Sequence, residues 1–187
     1  MNERTVGTEL GRLVDAFFES RRREFQAAAA ECRTALAGGR KILACGNGGS
    51  AAEAQHFVAE LVNKFLKPRQ ALRAVTLSAD TSILTSIGND VSFDAVFSRQ
   101  VEALGDPGDV LLALSTSGQS PNILEAVRTA RRLGLKTVAL TGRGGGRLAG
   151  EADILLDVPS AETPRVQEVH LVILHLLAET FEGGLSS

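Results

Sequence analysis

Five short apolar runs, separated by segments of helical length, constrain this chain more than any other feature of it. They are KILAC (Lys41 to Cys45), LRAVTL (Leu72 to Leu77), VLLAL (Val110 to Leu114), KTVAL (Lys136 to Leu140) and DILLD (Asp153 to Asp157). Runs that are nearly continuous rather than alternating are those of strands covered by helices on both faces. Helical patterns are predicted around Ser50 to Phe65, Ser92 to Leu104 and Pro121 to Leu133, so each strand is followed by a crossover. That order predicts an α/β fold with a parallel, doubly wound sheet.

Two further helices flank this unit. From about Glu3 to Ala37, Leu10, Leu13, Val14, Phe17 and Phe18 recur at helical spacing, and Gly38-Gly39 ends the pattern. This N-terminal extension, 3–37, has no strand of its own; it packs on the core or on a neighbouring subunit. The last helix, Pro164 to Phe181, carries Val166, Val169, Leu171, Val172, Ile173, Leu174, Leu176 and Leu177, is apolar nearly all round, and is expected to be buried, in an oligomer core. No repeat or linker interrupts residues 1–187, which read as one domain.

Composition removes several function classes. A formal net charge of −2 lacks the basic footprint of a general nucleic-acid binder. No apolar run reaches the ~18–20 residues of a membrane span, and the first ten residues, MNERTVGTEL, show no signal-peptide core. Cys32 and Cys45 fit neither a disulfide framework nor metal-ligand spacing, so a reducing, cytoplasmic setting is expected.

Ligands of an open parallel sheet bind beyond the carboxyl ends of its strands. Gly46-Asn47-Gly48-Gly49-Ser50 follows the first strand and opens a helix, giving close backbone approach and free N–H groups. It is neither a P-loop nor a GxGxxG turn. Ser115-Thr116-Ser117-Gly118-Gln119-Ser120 follows the third strand, with Pro121 at a first helical position. Four hydroxyls converge there without a carboxylate, as binding of a phosphate monoester requires. One hydroxyl suffices to cap a helix, so four favour the anion-binding reading. Ile87-Gly88-Asn89-Asp90 reads by itself as a capping turn.

Acid–base groups lie on the helices. His56 and Glu60, four apart, share a face, while Gln167, His170 and His175 sit on the apolar last helix. Two histidines with a carboxylate and an amide suit proton transfer or metal binding. Gln167 and His175 are separated by about 12 Å of helix rise. They meet one centre only if it lies between them, their side chains lean inward, or the helix bends.

Four segments together, GNGGSAAEAQHFVAEL, SIGNDVSFDAVFSRQVEALG, LSTSGQSPNILEA and TPRVQEVHLVILH, resemble the sedoheptulose-7-phosphate (phosphoheptose) isomerases of the sugar isomerase (SIS) fold group, over Gly46 to His175. The resemblance implies an αβα sandwich with a five-stranded, flavodoxin-like sheet, and a cytoplasmic homotetramer with active sites at subunit boundaries. It implies conversion of D-sedoheptulose 7-phosphate into D-glycero-D-manno-heptose 7-phosphate, an early step of bacterial heptose synthesis of the kind that supplies lipopolysaccharide. It assigns phosphate contacts to Ser115, Thr116, Ser117 and Ser120, and sugar contacts to Asn47, Gly48, Gly49, Glu60, Asn89, Asp90 and Gln167. Glu60 and His175 match the acid–base pair. His56, Glu60, Gln167 and His175 match the zinc ligands reported in part of the family, one zinc per subunit. Lys64 stands where many relatives carry Arg, exchanging a two-pronged donor for a single point. The alternative is a non-catalytic phosphosugar-binding or replication-initiator-associating SIS protein. The latter relative has Arg where Ser117 stands and lacks the acid–base pair; Glu60, Ser117 and His175 are all present here.

Overall fold

The computed structural model describes residues 3–183. The five runs form strands β1 (Ile42–Gly46), β2 (Ala74–Thr76), β3 (Val110–Ser115), β4 (Lys136–Thr141) and β5 (Ile154–Asp157). All pairs are parallel and the order is β2-β1-β3-β4-β5. This is the expected flavodoxin-like order, and its direction reverses between β1 and β3, where such sheets open a crevice.

Because strand side chains alternate, the continuous apolar runs feed two cores. Ile42, Ala44, Val110, Leu112, Leu114, Val138, Leu140 and Leu156 face one layer; Leu43, Cys45, Leu111, Ala113 and Ala139 face the other. Helices α1 (Glu3–Ala37), α2 (Gly49–Val62) and α6 (Thr163–Glu179) fill the first. Helices α3 (Thr81–Asp90), α4 (Ser98–Leu104) and α5 (Pro121–Arg132) cover the second. Cys32 and Cys45 lie in opposite layers as free thiols, each pushed up to about 12 by burial.

α1 packs on its own chain: Leu13, Phe17, Ala28, Ala29 and Cys32 are buried in the first core. It is two helical pieces rather than one, broken at Arg21 (φ −123°, ψ 15°), where the guanidinium turns in to bond Asp157 at the end of β5 (2.5 Å). α6 buries Val166, Val169, His170, Ile173, Leu174 and Leu177, while Leu171, Val172 and Leu176 stay half-buried along an outward stripe. Within one chain, therefore, α6 is not enclosed all round. No helix among the described residues is long and apolar enough to cross a membrane.

Two expectations need correction. Ile87–Asp90 is not a capping turn but the last turn of α3, which begins where the Asp80 side chain accepts the Ile83 N–H (3.0 Å). The helix escaped notice because its Ser, Thr and β-branched residues are weak helix formers and none of its residues is fully buried. The helix predicted over Ser92 to Leu104 is instead a 3-10 turn, Phe93–Ala95, followed by α4.

Candidate active site

The loops after β1 and β3 flank the reversal of strand order. Gly48, at the start of α2, has φ 56° and ψ −120°, a conformation that glycine adopts without the clash a Cβ would bring. A Cβ on Gly46 would lie 2.5 Å from the Ser50 carbonyl oxygen, and one on Gly49 would lie 2.4 Å from the Gln167 amide nitrogen. Close approach is thus built into the turn, and α2 begins with no side-chain cap.

In the second loop Ser115 is the last residue of β3, its Oγ 3.1 Å from Ser120 Oγ. Ser117 Oγ accepts the Gln119 N–H (3.2 Å), and Thr116 is half-buried. Gly118 (φ 63°) is wedged against the Gly145 carbonyl, 2.0 Å from where a Cβ would fall. Ser120 occupies the N-cap of α5 yet makes no cap hydrogen bond, and Pro121 follows at the start of the helix. Its hydroxyl is therefore not spent on the helix.

Asn122, buried in the first turn of α5, joins the two loops. Its amide and that of Asn47 exchange hydrogen bonds, both 2.9 Å. Sequence reasoning missed Asn122, whose only signal is an amide where α5 is otherwise turning apolar.

Both α2 and α6 start at the carboxyl edge of the sheet and run side by side, so their polar positions align. Near the start, Gln167 covers Gly49. Two turns further, His56 Nε2 lies 2.9 Å from His175 Nε2 and 3.5 Å from Glu60 Oε1. The Phe65 ring stacks on the His175 imidazole (centroids 5.3 Å, planes 26° apart). The structure thus joins His56, Glu60 and His175, and sets Gln167 apart from them. Asn89 and Asp90 are exposed at the end of α3, the Asn89 amide donating to Asp90 Oδ1 (2.7 Å); Lys64 is exposed beyond α2.

Between these levels lies a buried pair. His170 Nε2–H donates to the Thr141 carbonyl (3.1 Å), and its Nδ1 stands 4.0 Å from Glu53 Oε2; both of these facing atoms lack a hydrogen-bond partner. Burial pushes the His170 imidazole down to about 4, against the opposing pull of the Thr141 carbonyl. Burial likewise raises the Glu53 carboxyl to about 7, partly offset by the Ser50 hydroxyl.

Two imidazole nitrogens and a carboxylate oxygen are donors that zinc favours. The 2.9 Å His56–His175 contact is a hydrogen-bond distance, whereas ligands ~2.1 Å from a tetrahedral zinc stand roughly 3.4 Å apart. Among the described residues no three His, Cys, Asp or Glu side chains form a ready-made cage. The donor set fits zinc chemically, and holding the ion requires the two rings to part by a few tenths of an ångström.

A SIS domain family model matches residues 7–142. The chain is 50% identical to the phosphoheptose isomerase of Nitratidesulfovibrio vulgaris (strain Miyazaki F) over 172 residues, 92% of this chain and 83% of that one. Its fold is similar to the structure of the phosphoheptose isomerase from Neisseria gonorrhoeae, with a TM-score of 0.89, 44% identity and 95% of each chain covered. The structure of a phosphoheptose isomerase from Francisella tularensis gives a TM-score of 0.88 at 37% identity, over 98% of this chain and 100% of that one.

Proposed function

The chain belongs to the SIS domain family, among its phosphoheptose isomerases, and from that premise we propose how its residues convert D-sedoheptulose 7-phosphate into D-glycero-D-manno-heptose 7-phosphate for bacterial heptose synthesis. The observation that carries the reading is the contact of His56 with both Glu60 and His175 on the α2–α6 face.

The reaction is an aldose–ketose isomerisation. Glu60, as carboxylate, takes a proton from C1 of the ketose. The C–H electron pair becomes the C1–C2 double bond, and the carbonyl pair moves onto the C2 oxygen. His175 supplies a proton to that oxygen and accepts one from the C1 hydroxyl as the aldehyde forms. Glu60 returns its proton to C2. Positioned acid–base groups of this kind contribute about 10²–10⁴-fold each. Ser115, Thr116, Ser117 and Ser120 hold the phosphate at the start of α5, where N–H groups and helix dipole favour an anion. Asn47, Gly48, Gly49, Asn89, Asp90 and Gln167 contact the sugar.

His56 and His175, with Glu60 beside them, would hold one zinc per subunit, which would polarise the carbonyl as a Lewis acid. Gln167, two turns away against Gly49, lies outside that set, and Glu60 serves as base only when it is not bound to the ion. We place the enzyme in the cytoplasm, where Cys32 and Cys45 stay reduced, and read it as a homotetramer with sites shared between copies. In favour of sharing, Glu60 lies eleven residues along α2 from Gly49, roughly 16 Å of helix rise. The half-buried stripe of α6 offers apolar surface to a second copy.

Purified protein incubated with sedoheptulose 7-phosphate, with and without zinc chelation, tests the reading by product NMR. Turnover lost on chelation and restored by zinc supports both isomerase and metal. Turnover indifferent to chelation removes the metal. No turnover in either condition removes the isomerase reading in favour of binding alone.

A further inference from the structure

We propose that Arg69 and Glu182 form a buried clamp that positions the acid–base pair, with Arg69 and Glu182 acting as positioning residues. The inference rests on the assignment of Glu60 and His175 made above.

The two side chains meet between the end of α2 and the turn after α6, with Arg69 Nε 3.5 Å from Glu182 Oε1 and only 9% and 4% of the side chains exposed. Arg69 reaches back to α2: Nη2 donates to the carbonyl of Glu60 itself (2.5 Å) and Nη1 to that of Leu61 (2.8 Å), with a further bond from Nη1 to the Gln70 carbonyl (2.9 Å). The last carbonyls of a helix have no partner within it, and a guanidinium satisfies several at once where an ammonium cannot. Glu182 holds the other side of the same loop, accepting the N–H of Phe65 (3.3 Å) and that of Lys67. Between these two anchored amides the chain presents the Phe65 ring, which stacks on His175.

One end of the clamp therefore grips the backbone of Glu60, and the other sets the ring against His175. A helix cap alone would explain the first contact. It leaves unexplained why the partner carboxylate spends both oxygens on the loop that carries Phe65. The clamp fixes the spacing of two groups that must serve adjacent carbons of one substrate, where misplacement by ~1 Å costs about 100-fold in rate.

The test uses the full chain, supplied with zinc, turning over sedoheptulose 7-phosphate at a temperature well below each variant's melting midpoint. Arg69→Lys and Glu182→Gln are expected to lower kcat roughly 10- to 100-fold. KM should stay within about twofold, because the phosphate loop lies on β3 and α5 and touches neither residue. Arg69→Lys combined with Glu182→Gln should be no slower than the worse single variant, as expected for two residues acting as a unit. Phe65→Leu, which keeps the apolar bulk, should reproduce the kcat loss and serves if the clamp variants do not fold. A lower melting midpoint with kcat unchanged would make the pair a plain structural cap and overturn the proposal, as would a rise in KM alone. Active wild type with unaffected variants removes the clamp only; inactive wild type removes the isomerase reading and the clamp with it.

Discussion

Glu60 and His175 are linked through His56, whose Nε2 lies at hydrogen-bonding distance from His175 (2.9 Å) and 3.5 Å from the Glu60 carboxylate. Replacing the carboxylate by an amide of the same shape removes the proposed base and leaves the loop of residues 115–120 untouched. Glu60→Gln should lower kcat by about 10²–10⁴-fold while substrate still binds, as read by calorimetric titration; an unchanged rate would remove Glu60 as the base. The Glu53–His170 pair makes a prediction about stability. Between its ordinary 4.5 and about 7, folded Glu53 holds a proton that the unfolded chain gives up, so its contribution falls as pH rises through that range. His170 acts in the opposite sense. From about 4 to its ordinary 6.5 the unfolded chain holds the extra proton, so stability rises with pH. The two offset each other between pH 4.5 and 6.5. His170→Gln removes the rising half, so its melting midpoint should decline relative to wild type from pH 4.5 to 6.5 and run parallel to it above 6.5. Midpoints that run parallel in the two proteins from pH 4.5 to 6.5 would contradict burial of His170 in its neutral form.

Helix α5 shows why a residue's place in an element does not fix its job. Ser120 sits where a capping serine belongs, yet its hydroxyl turns to Ser115 and makes no cap bond. A capping serine replaced by alanine costs about 1 kcal/mol, which in a chain of this size lowers the melting midpoint by roughly 2–4 °C. Ser120→Ala should leave the midpoint within about 1 °C of wild type and raise KM roughly tenfold, as loss of a charge-assisted hydrogen bond would. A lower midpoint with KM unchanged would return the residue to the role of cap. The start of α2 carries the complementary constraint. Gly48→Ala would force a side chain into a positive-φ conformation at the helix start, costing of order 1–3 kcal/mol, measurable by urea unfolding.

Across the whole molecule, the reversal of strand order brings the glycine turn and the hydroxyl loop together and stitches them through Asn47 and Asn122. The His56–Glu60–His175 cluster lies further down the α2–α6 pair. If sites are completed between copies, co-expressed Glu60→Gln and Ser117→Glu chains, each inactive alone, should regain about a quarter of wild-type turnover through random assembly into a closed oligomer. Chains that hold whole sites by themselves would regain none.

Strand positions and the parallel sheet were legible in the residues, because a strand buried on both faces must be apolar throughout, and the two loops at the sheet's carboxyl edge stood out by their glycines and hydroxyls. The pairing of His56 with Glu60 was equally plain, since helical spacing fixes which side chains share a face. Local patterns of that kind are set by neighbours a few residues apart, and the sequence displays them directly. Contacts between distant segments are not displayed in this way. Nothing near Asn122 indicates Asn47, 75 residues away, and nothing near Arg69 points to Glu182. At the break of α1, Arg21 turns in to Asp157, 136 residues on. These features arise where packing brings remote polar groups out of water together, and a buried polar group must then take whichever partner the fold supplies.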